Sequence, residues 1–145
     1  MIYNRKIMPA KDIFHDKVRR ALEKDGWTIT DDPYKLKWEL TTLYVDLAAE
    51  RAIAAEKDNQ KIAVEVKSFV GKSETADLEQ AIGQYFLYRW IMDRQDPDRI
   101  LFLAVPETIY RQLFEGVKGE ILLSDGRLKV FGYSTEKEEI IGWKI

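Results

Sequence analysis

Residues Lys61 to Val105 constrain the fold more than any other stretch of the chain. Ile62 to Ser68 reads as a strand. Successive side chains of a strand alternate between faces, so Val64 and Val66 share one face while Glu65 and Lys67 share the other. Ser73 is a natural N-cap, followed by Glu74 and Asp77 in a first helical turn. Leu78, Ala81, Ile82, Tyr85, Phe86 and Met92 then recur at helical spacing, which predicts a helix over about 74–94; Asp96-Pro97-Asp98 ends it. Ile100-Leu-Phe-Leu-Ala-Val105 is short and lacks polar alternation, the pattern of a strand covered on both faces. A long helix between two strands makes a crossover, so these strands are expected to run parallel in one sheet.

The flanking segments extend this unit. Ile13, Phe14, Val18, Ala21 and Leu22 form a helical stripe over roughly 12–25, with Asp12 as N-cap and Gly26 as the C′ residue. His15 falls beside that stripe and reads as a partly buried residue at the rim of a packing face. Trp27-Thr-Ile-Thr30 predicts a short strand, Asp31-Asp32-Pro33 a turn, and 34–41 either a loop or an edge strand. Thr42 to Ala55 is β-like, with a bulge or bend expected near Ala49-Glu50-Arg51. A polar turn at Lys57-Asp-Asn-Gln60 returns the chain antiparallel into the strand that carries Glu65. Pro106-Glu107 opens a helix to about Phe114. The remainder reads as β: Glu120–Leu123, an Asp125-Gly126 turn, Leu128–Tyr133 and Glu139–Lys144. The expected architecture is α/β, a mixed sheet flanked by helices, in a single domain spanning 1–145. Residues 1–8 show no clear period, and Met8-Pro-Ala-Lys-Asp12 would make a natural start, with residues 1–7 an N-terminal extension.

Composition excludes several chemistries. There is no cysteine, so thiolate metal sites and disulfides are ruled out, and a single histidine rules out a two-histidine zinc site. An apolar content of 46% with 33% charged residues suits a globular protein. No apolar run approaches the ~20 residues of a membrane span, and no signal-peptide core is apparent, so a cytoplasmic protein without membrane association is expected. A net charge of −2 does not announce a nucleic-acid binder, although a local basic rim can still engage phosphates.

The residues that invite chemistry are charges on apolar strands. Asp46 lies in the run Leu43 to Ala49, and Glu65 and Lys67 lie in the next strand, nineteen residues on. Such charges are tolerated near a core when they pair, hold a metal or reach a wet cleft. Antiparallel neighbours within ~5.5 Å would bring Asp46 and Glu65 into range of one cation if the register allows. The candidate metal site is therefore Asp46 and Glu65 with the Val66 backbone carbonyl, holding Mg²⁺ or Mn²⁺, and Glu50 is an extra ligand if the strand stays regular. Lys67 would orient or deprotonate a water and offset transition-state charge, completing a catalytic set of Asp46, Glu65 and Lys67. The bland reading of Glu65 and Lys67 is an edge-strand salt bridge. Gln84 and Tyr88 share a helical face at i, i+4 and are candidate substrate contacts, as are Gln80 one turn earlier and Lys72 in the preceding loop. The aromatic-rich helix and Trp143 could supply a homo-oligomer face, though core packing is the commoner use of such residues.

Asp followed by Glu-X-Lys on the next strand resembles the PD-(D/E)XK nuclease pattern, with Val45-Asp46 in place of Pro-Asp. Gln84-Tyr-Phe-Leu-Tyr88 resembles the Gln-X-X-X-Tyr element of RecB-like nucleases. A more specific resemblance rests on Met8-Pro-Ala-Lys-Asp12, Asp25-Gly-Trp-Thr-Ile-Thr30, Asp32-Pro33, Asp46-Leu-Ala-Ala-Glu50, Lys61-Ile-Ala-Val-Glu-Val-Lys-Ser-Phe69, Ala81-Ile-Gly-Gln-Tyr85 and Tyr88-Arg89. Together these look like the XisH family, cyanobacterial proteins named as fdxN element excision controlling factors. That resemblance implies a restriction-endonuclease-like fold, a role in programmed DNA excision and recombination, DNA as a partner, and a XisI-type protein as a second partner. The leading expectation is a magnesium-dependent nuclease site within an excision factor. The alternatives are a non-catalytic DNA- or partner-binding control factor on the same fold, and one half of an obligate pair.

Overall fold

The computed structural model of the protein describes residues 11–53 and 59–145. In chain order the elements are α1 (His15–Lys24), β1 (Thr28–Asp31), β2 (Tyr34–Trp38), β3 (Thr41–Val45), β4 (Leu47–Arg51), β5 (Gln60–Val66), α2 (Glu74–Gln95), β6 (Ile100–Pro106), α3 (Glu107–Phe114), α4 (Gly116–Leu122), β7 (Val130–Ser134) and β8 (Glu139–Lys144). Six strands form a mixed sheet in the order β1-β4-β5-β6-β7-β8, and β2 with β3 forms a separate two-stranded sheet.

The crossover anticipated from Lys61 to Val105 is present. β5 and β6 pair in parallel, with Glu65 opposite Leu103 and Val66 opposite Ala104, and α2 connects them. Ser73 caps α2, its hydroxyl accepting from the Ala76 N–H at 3.1 Å. β6 and β7 continue in parallel, whereas β1–β4, β4–β5 and β7–β8 are antiparallel. The alternation of β5 splits the interior into two layers. Ala63, Leu101 and Leu103 face α2 and α3 together with Tyr85 and Met92. Ile62, Val64, Val66 and Phe102 face α1 through Val18 and Leu22. Gly132 and Gly142 pair across β7 and β8, and a Cβ on either would lie 2.6–2.7 Å from the Tyr110 side chain, so both positions need glycine for that ring to pack.

Several local expectations are corrected. The β-type segment after Thr41 breaks at Asp46 and not at Ala49-Glu50-Arg51: β4 stays in register with β5 from Leu47↔Val64 to Arg51↔Gln60. The irregularity lies instead in β1, between Ile29 and Asp31. Within 34–41 the edge-strand alternative holds for β2, the first arm of a hairpin turned at Glu39-Leu40 with Glu39 at φ 52°. The stretch expected as a strand at Glu120–Leu123 forms the end of α4 and its C-cap, and Gly119 packs so closely on the Phe114 carbonyl that a Cβ would lie 2.3 Å from its oxygen. α1 begins at His15 without a side-chain cap, and Ile13 is 68% exposed, outside the packing stripe. Gly26 does occupy the C′ position, at φ 92°. Trp143 packs on Phe102 and Phe131, with ring centroids 4.9 and 4.7 Å away, and so serves the interior. The expectations for residues 1–8 and for the turn beginning at Lys57 fall on positions outside the described residues.

Candidate functional site

The chain leaves one sheet and enters the other at Asp46. Val45 closes β3, paired with Tyr34, and Leu47 opens β4, paired with Val64. A residue at such a junction is released from both ladders, which frees its backbone N–H and side chain for other partners. Asp46 uses both toward β5. Its Oδ2 accepts from the Val66 N–H at 2.7 Å, and its own N–H donates to Glu65 Oε1 at 3.4 Å. The register that the sequence left open therefore places Asp46 beside Glu65.

The electrostatics of this pair are unfavourable when both groups ionise. Glu65 is 8% exposed, and burial, followed by the charge of Asp46, pushes its carboxyl well above the usual range. Burial also raises Asp46, while the Val66 N–H opposes the shift by stabilising the carboxylate. Burial and then the charges of Glu65 and Asp46 push the Tyr88 phenol up to about 12, so Tyr88 lies within electrostatic reach of both carboxylates. An adjoining cation would relieve all three shifts at once.

The residues present fit a hard divalent cation. Among the described residues no group of three or more His, Asp or Glu side chains comes together, so such an ion would be held by Asp46, Glu65, one backbone carbonyl and water. That sparse, oxygen-only set is the way magnesium is commonly bound. In an extended strand a residue's N–H and C=O point to the same side, so the Val66 carbonyl is turned toward the strand that carries Asp46.

Lys67 follows at the end of β5 and is fastened to α2. Its Nζ donates to Gln80 Oε1 at 2.8 Å and lies 4.0 Å from Asp77 Oδ1. Asp77 also accepts from the Gly71 N–H at 2.9 Å, and a Cβ at position 71 would sit 2.6 Å from that carboxylate. Glycine at 71 is thus what lets the loop close over Asp77. Gln80 acts as an anchor for the Lys67 amine, which the i, i+4 argument did not foresee. Gln84 is half-buried and Tyr88 buried on the same helix. Lys72 lies exposed in the loop. Glu50 is not brought to the pair; it lies opposite Lys61, four residues or about 13 Å along β4, and accepts from Asn59 Nδ2 at 3.1 Å.

Sequence reasoning missed a second ring of support. The Asp12 carboxylate accepts from the Ser68 N–H at 2.9 Å and from the Phe14 N–H at 2.9 Å, tying the entry of α1 to the end of β5. His15 is 3% exposed, deeper than the rim position expected, and its Nε2 lies 2.7 Å from Asp32 Oδ1. Burial raises the Asp32 carboxyl, but the bonds from Arg19 and His15 outweigh it and the net shift is downward. Asp31-Asp32-Pro33 was legible as a turn; nothing in its local pattern showed that its carboxylate would meet a histidine of α1.

Fold and site together define a mixed α/β protein with a carboxylate pair, Glu65 buried and Asp46 half-buried, where the chain passes from one sheet to the other. Residues 8–141 match the XisH protein family, and the chain belongs to that family. Two solved structures are similar over nearly its whole length. One is an XisH family protein from Nostoc punctiforme PCC 73102, 38% identical, with a TM-score of 0.81 and coverage of 92% of this chain and 100% of that one. The other is an fdxN element excision controlling factor protein from Anabaena variabilis, 39% identical, with a TM-score of 0.78 and coverage of 92% and 98%. No curated protein matches the chain. No helix among the described residues is long and apolar enough to cross a membrane.

Proposed function

We propose that the protein is a factor controlling excision of a DNA element, and that it acts through a divalent-metal-dependent PD-(D/E)XK nuclease-type site on a single restriction-endonuclease-like domain. The observation that carries this reading is the Asp46–Glu65 contact at the strand junction, with Lys67 one strand step beyond on the same face as Glu65. A structural salt bridge would place Lys67 against Glu65, but its amine is directed to Gln80. Its XisH family membership and the name of the Anabaena variabilis relative support the excision role.

In this reading Asp46 and Glu65 hold Mg²⁺ or Mn²⁺, and the Val66 N–H keeps Asp46 oriented. The ion, when bound, supplies positive charge to polarise a phosphodiester and to activate water. The Lys67 amine, steadied by Gln80, donates to the phosphate as negative charge grows in the transition state. Gln84 and Tyr88 share one face of α2 and meet the substrate strand. DNA is the substrate class, a XisI-type protein the working partner, and the cytoplasm the compartment. Incubation of plasmid and linear DNA with Mg²⁺ or Mn²⁺, for wild type and Asp46→Ala, tests the reading. Metal-dependent cleavage lost in the variant supports it; DNA left intact by wild type across both metals, with the partner present, rejects it.

A second reading uses the same fold without turnover, as a control factor that binds DNA or a partner. The Lys67–Gln80 bond, which holds the amine on α2, favours it. It requires that Asp46→Ala retain excision in cells.

A further inference from the structure

The β2–β3 hairpin that leads into Asp46 carries its tip, at the opposite end, beside a groove that the carboxylate site does not use. The groove, about 530 Å³, lies between the hairpin tip and the last turns of α2. Trp38, Leu87, Trp90 and Ile91 line it, with Arg94 and Lys37 among its charged residues. Trp38 and Trp90 are 51% and 60% exposed, and Leu40 at the adjoining tip is wholly exposed. Two half-exposed indoles and a leucine leave on the order of 300–400 Å² of apolar side chain facing solvent, within the range of the largest patch on a typical monomer, which is often functional.

We propose that this patch seats a second copy of the chain, the Glu39-Leu40 tip of each copy entering the groove of the other. The surface is complementary to itself. It carries an apolar knob, Leu40, next to an apolar hollow, and a carboxylate, Glu39, near the cations Arg94 and Lys37. Because knob and hollow adjoin on one face, a twofold axis through that face pairs each tip with the opposite groove and each Glu39 with the opposite Arg94, as an isologous contact requires. The composition is that of an interface centre, rich in tryptophan and arginine.

The tip is also held in place before any partner arrives. Gln95 at the end of α2 bridges the free edge of β2, accepting from the Lys37 N–H at 2.7 Å and donating to the Lys35 carbonyl at 3.0 Å. Glu39 adopts φ 52°, which fixes the turn that presents Leu40. A rigid knob loses little freedom on docking. The same amide bridge blocks the β2 edge against strand addition, so side chains and not backbone pairing make the contact.

The inference does not depend on the carboxylates being catalytic, and its test reads mass instead of activity. Sedimentation equilibrium of the full chain from about 1 to about 100 µM is expected to show a species of twice the 17.0 kDa protomer mass. Leu40→Asp and Trp90→Ala are each expected to weaken the dimer by about 30-fold or more; at protein concentrations where wild type is monomeric, Leu40→Asp leaves the thermal midpoint unchanged because Leu40 is wholly exposed. Glu39→Arg and Arg94→Glu are expected to dissociate it singly and to restore it when combined, an exchange that general loss of hydrophobicity would not reproduce. A wild-type monomer throughout that range overturns the proposal, including the case in which the patch then takes a different protein or a nucleic-acid strand. A dimer unaffected by Leu40→Asp and Trp90→Ala overturns it as well.

Discussion

Asp46 and Glu65 are held together by the backbone as much as by their side chains: the Val66 N–H grips the Asp46 carboxylate at 2.7 Å while the Asp46 N–H points to Glu65 at 3.4 Å. The arrangement exists because Asp46 lies between β3 and β4, where neither ladder claims its backbone. The protein thus keeps two carboxyl groups, Glu65 buried and Asp46 half-buried, side by side at a strand junction, where ionising both is unfavourable.

This has a consequence for stability against pH. The folded carboxyl of Glu65 titrates well above its ordinary value of 4.5, chiefly through burial and then through Asp46. Below pH 4.5 both folded and unfolded forms keep the proton. Above it the unfolded chain ionises first, so stability falls as pH rises until the folded group has also lost its proton. Glu65→Gln removes that dependence. Thermal melts are expected to show the variant more stable than wild type at pH 7.5 and nearly equal to it at pH 4. Each kcal/mol relieved raises the midpoint by about 2–4 °C for a chain of this size. A variant less stable than wild type at pH 7.5 would show that the pair is not repulsive.

Two tyrosines on neighbouring turns of α2 are expected to respond oppositely. The Tyr85 hydroxyl is fully buried, lies 3.0 Å from the Leu101 carbonyl and accepts from the Lys129 N–H at 3.1 Å. Tyr85→Phe leaves those groups unpaired and should destabilise by about 1–3 kcal/mol in a denaturant titration. The Tyr88 hydroxyl has no hydrogen-bond partner among the described residues, so Tyr88→Phe should stay within about 0.5 kcal/mol of wild type while weakening DNA binding. Equal losses of stability would remove the distinction between a packing tyrosine and one facing the site.

Gly71 offers a test of the Lys67 anchor. Gly71→Ala drives a methyl group to 2.6 Å from the Asp77 carboxylate, which must move, and Asp77 is what approaches Lys67. The substitution should cost about 1–3 kcal/mol. It should also make Lys67 more reactive to an amine-labelling reagent, read residue by residue in mass spectra. Gln80→Ala should raise Lys67 labelling in the same way with little loss of stability. Labelling unchanged in both would mean that the amine is not held.

Much of this could be seen in the chain beforehand, and the reason is local chemistry. The Ser73 cap, the uninterrupted apolar run from Ile100 to Val105 and the alternation around Glu65 each follow from short-range rules, and each was placed correctly. Asp46 and Glu65-Val-Lys67 stood out for the same reason, as charges on apolar strands. What failed was decided by distant partners. The strand break fell at Asp46, and not near Glu50, because two sheets meet there. α4 replaced an expected strand because Gly119 packs on the Phe114 backbone, an approach that no periodicity records. Asp12, Asp32 and Asp77 serve the site through residues 56, 17 and 10 positions away in the chain, so their roles emerge only when the chain is folded.

Calorimetric titration with Mn²⁺, on metal-free wild type and on Asp46→Asn, reads directly whether Asp46 and Glu65 hold a cation. Wild type is expected to bind one ion per chain and to release protons on binding as the raised carboxyls give them up, and the variant to bind at least about 100-fold more weakly. Absence of binding to wild type, or equal binding by Asp46→Asn, would contradict this expectation.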